Sequence, residues 1–278
     1  MVIESERGKL IFRKMQRDLL RLARDPRPEA VHNFRTTSRR LETLLEQLLP
    51  ACDRNQKKLL KLLSRIRKRA GKIRDLDVQL AALRSFRVPQ EPRRKTQLAQ
   101  RLIELRAEHE GKLQKLMKKR RIGEIKKRIK RGLQTLVLSS SRDPLVVARQ
   151  ILTSASATGP LTDDVLHRYR ISVKRARYAA EFARESREAA QFIAGLKQVQ
   201  DALGNWHDWM TLTRTAADQL GEVSQSSLVA ALHNVTRLKL RHAVAAVSAW
   251  RNDAGQPVPM ARKPKSPRPS PASPAQAA

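Results

Sequence analysis

The 278-residue chain carries 58 Lys and Arg against 26 Asp and Glu, a formal net charge of +32, with a pI near 11.5. Such a charge opposes self-association and gathers polyanions: nucleic acid, inorganic polyphosphate, an anionic membrane or an acidic protein. The single cysteine, Cys52, excludes an internal disulfide framework, and no apolar run approaches the length of a membrane span. The opening MVIESERGKLIF places acids where a secretory signal needs an apolar core, so the expected location is the cytoplasm.

Helix formers dominate and period-2 alternation is nearly absent, which predicts an all-α chain. The first helix is expected from Glu6 to about Ala23, ending at Asp25-Pro26. The second begins at Pro28, a favoured first-turn proline, and runs to about Leu49, ahead of Pro50. A third spans Arg54 to Phe86, with a candidate interruption at Gly71. The fourth spans Thr96 to Leu136, with a bend expected near Gly123. After the Ser-rich SSSRDP, a short helix from Pro144 to Ala157 is followed by one from Thr162 to Ser186. Asp163 and Asp164 suit the positive end of that helix. The last two run from Glu188 to Leu220 and from Ser226 to Arg251. Half of the 14 prolines lie at or beyond Pro257, and residues 252–278 read as a disordered basic Pro/Ser/Ala tail.

The second helix contains VHNFRTTSRRL (Val31–Leu41), and LHRYRISVKRARY (Leu166–Tyr178) repeats its order of residues. His32, Arg35, Arg39 and Arg40 align with His167, Arg170, Lys174 and Arg175 at an offset of 135. Gly71 and Asp75 align with Gly204 and Asp208 at an offset of 133. Two sets of matches at nearly one offset indicate an internal duplication. The architecture this predicts is two four-helix bundles related by a pseudo-two-fold axis, with halves at about 5–138 and 143–251.

Residues at i, i+3 and i+7 share a helix face, so His32, Arg35 and Arg39 line up over roughly 10 Å. Phe34, Leu41, Leu45 and Leu48 fall opposite, free to pack. In the second copy His167, Arg170, Lys174 and Arg177 share one face, against Tyr169, Ala176 and Ala180. If the halves pack symmetrically, the two cationic faces meet across a basic central groove. Further basic stripes run along Lys58, Lys61, Arg65, Arg69 and Lys72, and along Lys112, Lys115, Lys119, Lys126 and Lys130. Up to Leu138 there are 39 Lys and Arg against 15 Asp and Glu, so the stronger field is expected on the N-terminal half. Guanidinium forks match phosphate oxygens, lysine adds point charge, and a histidine beside a polyanion gains a proton. Cationic helix faces that repel when empty become favourable around an extended anion. Neither histidine has a ligand at i+4, where Thr36 and Ile171 stand, which argues against metal. Asp75, Asp77 and Asp208 read as residues that hold arginines or cap helices, and Gly71 and Gly204 as points of close helix approach. No P-loop, nucleophile elbow or Gly-rich phosphate loop is present.

These segments resemble the CHAD domain family. VHNFRTTSRRL and RIRKRAGKIRDLDV are similar to the motifs of its first half, LHRYRISVKRARYAAEF and GLKQVQDALGNWHDWM to those of its second, in order over about residues 5–251. The resemblance implies binding of inorganic polyphosphate in a basic pore or groove, without catalysis. It carries onto His32, Arg35, Arg39, Arg40, His167, Arg170, Lys174, Arg175 and Arg177. Lys61, Arg65, Lys72, Lys112 and Lys119, from the flanking stripes, complete the expected polyphosphate-binding set. Glu42 stands where the family usually has the arginine equivalent to Arg177, and His207 where an asparagine is common, so Glu42 is expected to weaken one side of the groove. Some stand-alone members are linked to polyphosphate or polyhydroxyalkanoate granules, a role the tail would suit. The competing expectation is nonspecific nucleic-acid binding. Against it, aromatics make up only 4% of the chain, leaving few stacking platforms.

Overall fold

The computed structural model describes residues 5–87, 91–136, 141–155, 161–221 and 226–254, and among these the chain is entirely helical. The tail expected to be disordered lies almost wholly outside the described residues. Helix α1 is Ser5–Arg24, α2 Pro28–Thr43, α3 Arg54–Ser85, α4 Pro92–Leu116 and α5 Lys119–Gln134. After these come α6 Pro144–Ala155, α7 Asp163–Ala180, α8 Arg187–Leu220 and α9 Ser227–Ala254.

Local chemistry fixes most of the ends. Pro28 occupies the first turn of α2, where its missing N–H is not needed. Asp53 and Gln56 form a reciprocal capping box at the start of α3, with bonds of 2.7 and 3.0 Å. Thr162 and Ser186 cap α7 and α8 through their hydroxyls.

Several boundaries differ from those the sequence suggests, α4 beginning at Pro92 rather than Thr96 and α7 ending at Ala180 rather than Ser186. The long fourth helix is two helices, and the break falls at Met117–Lys118 rather than near Gly123, which sits inside α5. A continuous helix over 41 residues would extend about 60 Å. The chain instead turns so that α4 packs on α3 while α5 reaches both α1 and α3. Met117 stays buried at the corner, and the Arg121 guanidinium donates to the freed Leu116 carbonyl at 3.1 Å. The second helix ends in a π-helical turn, Leu44–Leu48, closed by the Leu49 N–H donating to the Leu44 carbonyl. That wide turn places Leu44, Leu45, Leu48 and Leu49 in the core just before Pro50. α3 runs through Gly71 without interruption.

Consecutive helices pair as hairpins, α1 with α2, α3 with α4, α6 with α7 and α8 with α9. The two parts of the chain meet where α2 packs on α7 and α3 on α8. One apolar cluster runs from Phe12, Met15 and Phe34 through Tyr169, Leu203 and Trp206 to Val247. A second joins Leu76, Leu80, Leu98 and Leu102 of α3 and α4 to Leu212, Leu228 and Leu232 of α8 and α9. The predicted inward residues Phe34, Leu41, Leu45, Leu48, Tyr169, Ala176 and Ala180 are all buried. With those faces in the core, the opposite faces of α2 and α7 are left toward each other.

Candidate functional site: a cationic cavity between α2, α3, α7 and α8

Between these four helices lies a cavity of about 270 Å³. α2 contributes His32, Arg35, Thr36 and Arg39, and α7 contributes Arg170, Ile171, Lys174, Arg175 and Tyr178. α3 adds Arg74, Asp75 and Val78, and α8 adds Gly204 and Asp208. Six Lys and Arg side chains thus face two carboxylates. A second opening, lined by Arg35, Arg39, Glu42, Arg67, Lys68, Lys72 and Asp75, shares Arg35, Arg39 and Asp75 with the first.

Burial makes this concentration of charge expensive. It lowers the pKa of Arg35, helped by Arg39 and Arg67 and opposed by Asp75. It lowers that of Arg170, against the pull of Asp208 and Asp75. Lys174 falls to about 8, first through burial and then through Arg170, with Asp208 opposing. His32 is lowered by burial and then by Arg74, Arg35 and Lys174, so the empty site disfavours its imidazolium. The Arg170 Nε is buried with no hydrogen-bond partner. A set of desolvated cations with an unsatisfied donor is a site short of negative charge.

The fold holds these groups in fixed positions. The Arg35 guanidinium donates to the Arg67 carbonyl at 3.1 Å and lies across Gly71, where a Cβ would sit 2.5 Å from its Nη1. Gly71 therefore admits an arginine side chain rather than a neighbouring helix. At Gly204 an added Cβ would meet nothing within 4 Å. Asp77 ion-pairs with Arg106 at 2.7 Å, as an arginine-holding aspartate should. Asp75 and Asp208 instead line the cavity, beside Arg35 and Arg170.

Of the residues singled out from sequence, His32, Arg35, Arg39, Arg170, Lys174 and Arg175 come together in this cavity. Lys72 lines the adjoining opening. Arg40 and Arg177 do not line either. Both bind Glu181, Arg40 at 2.6 Å, and both guanidiniums lie over the Tyr178 ring, at 5.9 and 4.9 Å. His167 stands outside the cavity, stacked on His207 with ring centroids 5.5 Å apart. Burial and then His207 lower its pKa. Lys61, Arg65 and Lys119 are exposed, and Lys112 is exposed and paired with Glu108.

Two arginines were not singled out by the sequence pattern. Arg74 lines the cavity, and at the 133-residue offset its counterpart is His207. Arg67 is 6% exposed and bonds Glu42 at 2.5 Å and Ser38 Oγ at 2.9 Å. By the same offsets Glu42 matches Arg177 and Arg67 matches Gln200, and Arg177 bonds Gln200 at 2.8 Å. The same contact occurs twice with its charge moved from one helix to the other. Glu42 therefore comes with its own buried arginine, which offsets the charge expected to weaken that side of the groove.

The CHAD domain profile matches residues 8–217. The chain belongs to the CHAD domain family. Its fold is similar to that of the CHAD domain from the plant Ricinus communis, at TM-score 0.62 and 20% identity, over 87% of this chain and 86% of that one. It is equally similar to PptA from Streptomyces chartreusis, at TM-score 0.62 and 18% identity, over 90% of this chain and 96% of that one. Comparison with curated proteins gives no match. Among the described residues no helix is long and apolar enough to cross a membrane. Nor do three or more His, Cys, Asp or Glu side chains there form a group able to hold a metal ion.

Proposed function

We propose that this CHAD-domain chain binds inorganic polyphosphate non-catalytically, with the cavity between α2, α3, α7 and α8 as the central part of a basic groove. Residues 5–138 and 143–251 then act as two related helical units, the first with five helices because its fourth is broken in two, each supplying one cationic helix face. The observation that carries the reading is the convergence of six Lys and Arg side chains from α2, α3 and α7, with the Arg170 Nε left unpartnered. An unbranched phosphate chain supplies a dense line of negative oxygens at small width. Guanidinium forks bind such oxygens well. Arg35, Arg39, Arg74, Arg170, Lys174 and Arg175 are the direct contacts in this reading, with Lys72 on the path into the adjoining opening. Arg40 and Arg177 hold the wall through Glu181, and Lys61, Arg65, Lys112 and Lys119 add long-range field.

The cavity's two carboxylates sit among these cations and are used to balance Arg35 and Arg170. Phosphoryl transfer normally depends on carboxylates that hold Mg²⁺, and here two carboxylates face six cations, which favours a binder. Nucleic acid is the competing ligand. The exposed stripes on α3 and α5 could hold its backbone, but the cavity is too narrow for a base-paired helix. Competition at equal phosphate concentration tests the choice: long-chain polyphosphate should displace duplex DNA from the full chain at physiological salt. Displacement of polyphosphate by DNA would overturn it. A granule-targeting role would rest on the tail, which lies outside the described residues.

A further inference from the structure

We propose that Lys174 is a self-acylation site for small acyl phosphates, the cavity's guanidiniums capturing the phosphate and the Lys174 amine taking the acyl group. Lys174 is the one lysine lining this cavity, one turn after Arg170 on α7. Lys58, Lys61 and Lys72 on α3 are solvent-exposed. Among the described residues no hydrogen bond or ion pair ties up its amine, so Nζ is free to react.

The surroundings set its charge state. α2 presents His32, Arg35 and Arg39; α3 presents Arg74 and Asp75; α7 itself presents Arg170, Arg175, Arg177 and Tyr178; α8 presents Asp208. Burial and the neighbouring arginines hold the amine near pKa 8, against Asp208. At pH 7.5 about a quarter of such amines are neutral, against about 0.1% of ordinary lysines. The less basic amine is also the weaker nucleophile, and with a Brønsted slope of about 0.5, as for thiols, about tenfold remains.

The chemistry balances without a redox partner. The neutral amine attacks the acyl carbon, and the N–C bond forms. The carbon–oxygen bond to phosphate breaks, and phosphate leaves with the electron pair. The surplus ammonium proton passes to that phosphate or to water. The products are an amide on Lys174 and inorganic phosphate. Guanidiniums that hold the phosphate also stabilise the charge gathering on it as it leaves. Acylation removes one of the cavity's cations and fills part of its volume, so it weakens polyanion binding. A bound polyphosphate chain should block the reaction twice, by occupying the site and by drawing a proton back onto the amine.

This inference rests on the cavity being a phosphate site, and the experiment separates the two. The full chain is incubated with acetyl phosphate at pH 7.5, and peptide mass spectrometry follows each lysine with time. Tripolyphosphate binding to the untreated chain is measured in parallel by calorimetry. The expected result is Lys174 acetylated about tenfold faster than Lys58, Lys61 or Lys72, with a rate midpoint near pH 8 and suppression by tripolyphosphate. The phosphate-free donor p-nitrophenyl acetate should show a smaller preference. Tripolyphosphate binding without selective labelling overturns the inference and leaves the cavity reading standing. Selective labelling that tripolyphosphate does not suppress also overturns it, because burial alone would then explain the reactivity. Absence of both binding and selective labelling overturns the cavity reading together with the inference.

Discussion

Replacing Glu42 by Gln should weaken the fold and tighten polyphosphate binding at once. Glu42 bonds Arg67 at 2.5 Å through one oxygen and Arg39 at 2.7 Å through the other. The Arg67 side chain is 6% exposed, and burial already lowers its pKa, with Glu42 the main opposing influence. Removing one partner of a buried pair costs about 3–5 kcal/mol. Glutamine keeps a hydrogen-bond acceptor, and Glu46, which also attracts Arg67, takes up part of the charge. A net loss of about 2 kcal/mol follows, or about 4–8 °C in Tm for a domain of this size. The freed Arg39, half exposed, costs little by itself. For a phosphate about 7 Å from the lost carboxylate, at an effective dielectric of about 40, binding gains about 1 kcal/mol, roughly fivefold. Thermal melts and calorimetry with long-chain polyphosphate measure both. Paired replacement, Glu42→Leu with Arg67→Met, should recover most of the stability. An E42Q protein with parental Tm and unchanged or weaker polyphosphate affinity would refute the paired-charge reasoning.

Further outcomes follow from the same geometry. The empty protein should lose stability as pH falls below about 6.5, because His32, His109 and His167 all have folded pKa values lowered, first by burial. Their unfolded forms bind protons first, so the stability present above 6.5 declines as pH drops toward the folded values. Melts from pH 7.5 to 5.5 check this, and a flat profile contradicts it; saturating polyphosphate should shrink the loss. Gly71→Ala should keep the fold, since the clash is with the far end of Arg35, but displace that guanidinium and reduce affinity several-fold. Gly204→Ala, with open space around its Cβ, should keep the fold and gain about 0.5–1 kcal/mol from helix propensity, the methyl projecting at the cavity wall. Arg170→Met should reduce polyphosphate affinity while costing the empty protein little, because relief of the buried guanidinium and loss of its attraction to Asp208 and Asp75 oppose each other. A large fall in Tm would show that Arg170 is structural.

Much of this arrangement could be read from one chain because helical periodicity is a local property. The 3.6-residue repeat of Val31, Phe34 and Leu41 fixes which face of α2 is buried, and so where His32, Arg35 and Arg39 point. The duplication at offsets of 135 and 133 brought α7 and α8 into the same scheme. Non-local pairing was not readable in this way. Arg40 looks like its neighbours Arg35 and Arg39, but its guanidinium is used on Glu181, 141 residues away. Arg67 carries the same charge as the exposed stripe around it and yet is buried, because Ser38 and Glu42 of α2 receive it. The offset that aligned Gly71 with Gly204 would also have matched Arg67 to Gln200 and Arg74 to His207, which was the signal available for both arginines. The corner at Met117–Lys118 has neither proline nor glycine to announce it. It follows from where α1, α3 and α4 stand, which is tertiary information.

The cavity's cations are the proposed seat of anion binding. The direct measurement is calorimetric titration of long-chain polyphosphate into the parent chain and into a joint Arg35→Ala, Arg39→Ala, Arg170→Ala, Lys174→Ala variant, each at several salt concentrations. Because burial disfavours three of these four charges in the empty protein, the variant should remain folded, as its circular dichroism and melt would record. It should lose about 100-fold or more in affinity at physiological salt, with a shallower dependence of log Kd on log salt, as fewer counterions are released. A folded variant that binds with parental affinity and parental salt slope would contradict this, placing the anion on the exposed stripes instead.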